Sequence, residues 1–179
     1  KKSLLGSLFS LIMVTHEKYY VRKELVNNKN WENLRNKYPY FFDSIIYSLE
    51  NSLFTTIGTI FSKDQDEISF DEIFKLLDGN EIGYIKNKIH NNEELIKKVK
   101  NWRNKNKGGH KDLKITMNGE NFEKENSLKF NELEKLLNLS REIHDDIEFI
   151  ITKGKSHFNI DGLKNDIELN IKSIITKLS

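Results

Sequence analysis

The sequence predicts an all-α protein, a helical bundle of about five to seven helices. Three observations lead there. Apolar residues recur at spacings of three and four in each long patterned stretch. Turn punctuation is sparse, with Pro39 the one proline in 179 residues, whereas an all-β chain needs far more. No stretch alternates apolar and polar residues, and no glycine-rich phosphate loop or internal repeat is visible. Hydrophobic residues at 37 % and aromatics at 11 % supply a core and exclude a disordered chain. The length suits one domain, residues 1–179.

The first helix is expected over about 3–27, where Leu4, Leu8, Leu11 and Thr15 follow helical spacing beside Leu5 and Ile12. Its apolar part, "LLGSLFSLIMV", is far shorter than the ~20 residues that span a bilayer. It runs into "THEKYYVRKEL" without a small-residue cleavage site, which argues against a signal peptide. It reads as a core or interface helix, and the chain as cytoplasmic with no membrane partner. "WENLRNKYP" is a short helical link that stops near Pro39, because the residue before proline is pushed out of the α region. Residues 40–62 form a second long helix, with Phe42, Ile45, Ile46, Leu49, Leu53, Ile57, Ile60 and Phe61 apolar on more than one side. That breadth predicts a central position.

"DQDE" at 64–67 is a polar turn. It lacks the later Gly and Glu that a calcium loop requires. Ser69 and Glu72 have the spacing of a capping box that starts the short helix "FDEIFKLL", and Gly79-Asn80 is expected to end it. Asn91 or Asn92, followed by Glu93-Glu94, caps the next helix. That motif helix covers about 92–110 with its terminator, Gly108-Gly109, included, and Leu95, Val99 and Trp102 form its core stripe. Residues 115–128 read as a loop. Helices over about 129–153 and 160–178 complete the bundle. The first carries Leu133, Leu136, Leu137, Ile143, Ile147, Ile150 and Ile151. The second carries Ile160, Leu163, Ile167, Ile171, Ile174, Ile175 and Leu178.

The net charge of +2 conceals an uneven distribution. Between Lys86 and Lys114 ten basic residues face three acidic ones, while the rest of the chain is net acidic. A concentrated basic patch is the footprint of a polyanion partner, although a lysine-rich solvated face has the same composition. Four basic residues are arginine (Arg22, Arg35, Arg103 and Arg141), and a guanidinium offers a bidentate donor fork that lysine cannot.

The chain has no cysteine, which excludes disulfides, thiolate metal sites and cysteine nucleophiles. His16, His90, His144 and His157 lie in separate segments without an HxxxH or HExxH pair, so neither a metal nor a cofactor is expected. His144 lies near the apolar stripe of its helix and reads as a core or boundary residue.

Arg103 and His110 differ from these. Arg103 follows Trp102 at the border of the core stripe. Seven positions are nearly two helical turns, so the two residues share a side, ~10 Å apart if the helix continued. Two such side chains can bracket one phosphate. Metal-free RNA cleavage needs a group to take the 2′-hydroxyl proton, one to protonate the leaving 5′-oxygen and one to hold charge at phosphorus. Imidazole serves the first two and guanidinium the third.

The run "RNKNKGGH" at 103–110 resembles the signature of HEPN domains, in which an arginine precedes a histidine by four to six intervening residues and is often followed by a polar residue. Here Asn104 follows Arg103, and six residues precede His110. The chain over about 5–150 is similar to the abortive-infection branch of that family. Its tryptophan segment, long aromatic-rich helix and short capped helix lead into the basic motif at 31–112. The resemblance implies a HEPN-like fold and a metal-independent endoribonuclease of a bacterial defence or toxin–antitoxin system. It also implies a homodimer, with an antitoxin or regulatory protein as a further partner. His110 would then be acid and base, Arg103 would bind phosphate and Asn104 would support the site. The products would end in 2′,3′-cyclic phosphate and 5′-hydroxyl. Lys105, Lys107 and Lys111 would hold the RNA backbone. Asp112 either orients His110 or is a plain surface carboxylate. It stands where one toxin branch has tyrosine, so nucleotidylation control is not implied.

Two rival classes make different demands. A catalytically inactive HEPN-like module would bind RNA, a nucleotide or a partner protein. It would lose affinity with Lys105 or Lys107 but not with His110. A structural dimerisation bundle would respond only to core truncations such as Leu95→Ala or Val99→Ala.

Overall fold

The computed structural model describes residues 2–64, 67–108, 126–154 and 160–178, and for 105–108 the backbone alone. All regular structure among them is helical, in eight helices. These are α1 (Lys2–Asn27), α2 (Trp31–Lys37), α3 (Pro39–Ile60), α4 (Phe70–Phe74), α5 (Gly79–His90), α6 (Glu93–Gly108), α7 (Phe130–Thr152) and α8 (Ile160–Leu178).

The fifth helix, α5, is the element the sequence pattern misses. Gly79-Asn80 opens a helix here instead of ending one. The Asp78 carboxylate accepts from the Asn80 N–H at 3.1 Å and satisfies one orphan donor of the first turn. The anticipated Ser69 capping box also fails to form. Ser69 occupies the N-cap of α4, but its buried Oγ finds no partner among the described residues, and Glu72 pairs with Lys75 instead. Asn92 turns back as well, donating to the Lys88 carbonyl of α5. At Pro39 the expectation holds: α2 ends at Lys37, and proline takes the first position of α3, where it needs no N–H donor.

α1 is the hub. It buries Leu5, Leu8, Ile12, Tyr19 and Leu25 and packs against α3, α7 and α8. Arg22 on α1 pairs with Glu50 of α3 at 2.6 Å, and its guanidinium lies 4.3 Å over the Phe130 ring. α3 is central only in its second half, where Leu53, Ile57 and Ile60 are fully buried against α1 and α6. Its first half leaves Tyr40, Phe41 and Tyr47 in solvent, with Tyr40 90 % exposed. On α8 the buried set is Ile160, Ile167, Ile171 and Ile175. Ile174 and Leu178 are exposed, contrary to the apolar reading of that helix, because one helical stripe cannot take every apolar position of a 19-residue run.

Two histidines are sealed in this core. His144 of α7 packs against the Phe9 ring and is lowered in pKa by burial. His16 is buried on α1, stacked on Tyr20. Burial first, and then the charge of Arg141, push its pKa down to about 4, against opposing effects of the Leu137 backbone and Glu134. An unfolded chain binds a proton at His16 near pH 6.5, whereas the folded one does not until about pH 4. The neutral ring therefore contributes stability above pH 6.5, and that contribution drains away as the pH falls toward 4. The sum is about 3 kcal/mol. In urea unfolding at pH 7 and pH 4.5, His16→Gln should lose less stability on acidification than the parent chain. An equal loss would show that His16 is not the titrating group.

Candidate functional site

One face of α6 organises the candidate site. Positions 93, 96, 100 and 103 repeat at three, four and three residues, so Glu93, Ile96, Lys100 and Arg103 line up along the helix. The neighbouring face carries Val99, fully buried, and Trp102. Trp102 stacks on Phe54 of α3, with ring centres 5.3 Å apart, and its indole N–H donates to the Asn126 carbonyl at 2.8 Å. It is a packing residue, as its place in the stripe predicted.

Arg103 lies deeper than a phosphate ligand on an open lysine face would. Its side chain is 7 % exposed. Nη1 donates to the Glu67 carboxylate at 2.6 Å and to the Gly58 carbonyl at 3.3 Å. Nη2 donates to Asp64 at 3.0 Å, and both Nη2 and Nε reach the Asn104 side-chain oxygen at 3.3 Å. Five contacts use the donor capacity of a guanidinium in full. The Gly58 carbonyl belongs to the last turn of α3, where helical partners run out, so Arg103 also caps α3. The two carboxylates differ. Glu67 is 15 % exposed and tucked in, while Asp64 is 63 % exposed and faces water.

Gly58 makes this approach possible. A Cβ placed there would meet Arg103 Cβ and Cδ at 2.9 Å. Alanine would contribute at most about 1 kcal/mol of helix propensity, and overpacking costs about 1–3 kcal/mol. Gly58→Ala should therefore lower the melting temperature, read by circular dichroism. A rise would mean that the arginine stem swings aside without cost.

Asn104, the chain neighbour of Arg103, accepts from Nε and Nη2 of the guanidinium through its side-chain oxygen. Lys105 and Lys107 lie on the α6 backbone, with side chains outside the described residues. His110, Lys111 and Asp112 also fall outside them, as does nearly all of the loop expected at 115–128. Sequence reasoning missed Asp64 and Glu67, which it treated as a polar turn. They lie 39 and 36 positions before Arg103, and no local pattern announces such a pair.

Among the described residues one group of three metal-ligand types converges: His144, Asp145 and Glu148 on α7, with ligand atoms within 4.8 Å of one another. His144 is the buried member, turned toward Phe9 of α1. No helix among the described residues is long and apolar enough to cross a membrane. Comparison with protein-family models, curated proteins and solved structures finds no match to this chain.

Proposed function

We propose that this chain is a metal-independent endoribonuclease that cleaves RNA by attack of a 2′-hydroxyl on the neighbouring phosphate. One observation carries the proposal. The α6 face ends in an oriented guanidinium whose outer partner, Asp64, is a solvent-facing carboxylate that a phosphate can replace. A carboxylate and a phosphate oxygen accept the same charge-assisted, forked donation. In this reading Glu67, Gly58 and Asn104 keep the guanidinium aimed while Asp64 gives way. His110 takes the 2′-hydroxyl proton. The new bond forms between O2′ and phosphorus, the P–O5′ bond breaks, and the 5′-oxygen leaves with a proton returned by imidazole. Lys105, Lys107 and Lys111 supply the salt-sensitive hold on the backbone. The bacterial defence setting, homodimer and antitoxin partner belong to the same proposal and rest on the resemblance, and the cytoplasmic location belongs to it on the sequence.

The test is incubation of purified protein with a mixed RNA pool in EDTA, beside His110→Ala, Arg103→Lys and Asp64→Asn. Cleavage that leaves cyclic-phosphate ends, lost in the first two variants and kept or raised in the third, supports the reading. Equal cleavage by all four chains would expose a contaminant.

A second reading draws on the burial of Arg103. With every donor engaged, the arginine would only brace α3 against the 61–67 segment, in a catalytically inactive module that binds RNA, a nucleotide or a partner protein. The absence of cleavage by a folded parent chain favours it.

A further inference from the structure

A pocket beside Arg103 combines two chemistries. It has a volume of about 420 Å³ and is built where α3, α4, α5 and α6 meet. That volume lies within the range of small-molecule sites. Its floor is aromatic. Phe61, Phe70 and Phe74 are buried, with ring centres 5.5 Å apart for the first pair and 6.2 Å for the second, which is stacked. Its walls are cationic, and each cation comes from a different place: Lys63 after α3, Lys86 on α5 and Lys100 on α6.

None of these three lysines forms an ion pair among the described residues. The two acids in the same lining have other partners. Asp71 lies 3.5 Å from Lys75, and Glu93 lies 3.1 Å from His90. Lys86 instead sits 5.9 Å from the centre of the Phe74 ring, a cation–π contact that places its charge over the aromatic floor. Lys100 is half-buried. Burial, and then the charges of Lys63 and Arg103, lower its pKa, against the raising effects of Asp64 and Asp71. Lys63 and Lys86 are exposed at the rim and Lys100 is part-buried below them, so the repulsion falls on Lys100, and an anion seated among the three would relieve it.

We infer that this pocket binds a small organic anion that joins a planar ring to a phosphate group, with the ring on the Phe61–Phe70–Phe74 floor and the phosphate between Lys63, Lys86 and Lys100. The site is distinct from the Arg103 guanidinium, whose donors are already engaged. The inference does not depend on the ribonuclease reading.

Isothermal titration calorimetry of the full chain at pH 7 and low salt tests it, with phenyl phosphate and AMP as probes and inorganic phosphate and adenosine as half-ligands. Both probes should bind, and each half-ligand should bind more weakly. Lys86→Ala and Lys100→Ala should each weaken the probes about tenfold or more, the effect of losing a charged hydrogen bond. Lys97→Ala, at an exposed position, should change nothing. Shifts of the Ile89 and Ile96 amide resonances on adding phenyl phosphate should place the ligand. Circular dichroism melts verify that each lysine variant is folded. The proposal is overturned if neither probe binds the folded parent chain. It is also overturned if Lys97→Ala weakens binding as much as Lys100→Ala does. Inorganic phosphate as tight as phenyl phosphate would remove the ring from the assignment and overturn it in that form.

Discussion

Arg103→Ala should lower the unfolding free energy by about 3 kcal/mol, the scale of breaking a buried ion pair. For a chain of this size that corresponds to a fall of roughly 6–12 °C in melting temperature. The reason lies in what stays behind. Truncation removes the 2.6 Å guanidinium partner of Glu67, 15 % exposed, and uncaps the Gly58 carbonyl. Asp64, 63 % exposed, regains water and contributes little to the loss. Asp64→Asn should accordingly cost under about 1 kcal/mol, and Glu67→Gln should cost more than Asp64→Asn. Arg103→Lys should fall between the parent and alanine, since one ammonium cannot span the Gly58 carbonyl, Glu67 and Asp64 together. Thermal melts of the four variants order these effects. A melting temperature unchanged by Arg103→Ala would show that the network does not hold α3 and α6 together.

The second large effect is on chemistry. Under the proposed mechanism, His110→Ala should reduce metal-free RNA cleavage by about 100- to 10,000-fold, the range attributed to a positioned acid–base group. This substitution is the cleaner probe of the two. Loss of activity in Arg103→Ala mixes lost phosphate binding with lost stability, so it cannot by itself assign a catalytic role. Arg103→Lys and Asp64→Asn separate them. The first keeps a charge but loses the fork. The second frees one guanidinium edge at little cost in stability, and cleavage should hold or increase. Single-turnover cleavage in EDTA, with the melting temperature of each variant measured alongside, reads both. Full activity in His110→Ala would sink the mechanism.

Much of the scaffold was legible in the chain. α1, α3, α6, α7 and α8 appear close to their expected ranges, because each is long enough for its apolar spacing to outweigh local exceptions. The stop at Pro39 was also local, being a property of the proline ring. The short elements were legible only in part: α2 and the start of α4 after Ser69 fall where expected, whereas α5 was missed. Ser69 and Glu72 have capping-box spacing, yet Lys75 captures Glu72. Gly79-Asn80 has the composition of a helix end, yet Asp78 turns it into a helix start. In elements of five to twelve residues a single side-chain hydrogen bond decides the boundary, and two sequence patterns can compete for it.

By itself, then, the sequence determined the helical class, the positions of the long helices, the basic α6 and the border position of Arg103. These follow from spacing along one chain segment. Only the tertiary structure decided what that border position means. Burial depends on the helix that lies opposite, and Gly58 of α3 lets the arginine stem approach within van der Waals contact. Partner choice depends on which distant carboxylates the fold delivers, and Asp64 and Glu67 arrive from a turn nearly forty residues away. The lysine-walled pocket is likewise a product of the fold. Lys63, Lys86 and Lys100 share no sequence pattern, and one pocket takes them from the segment after α3, from α5 and from α6.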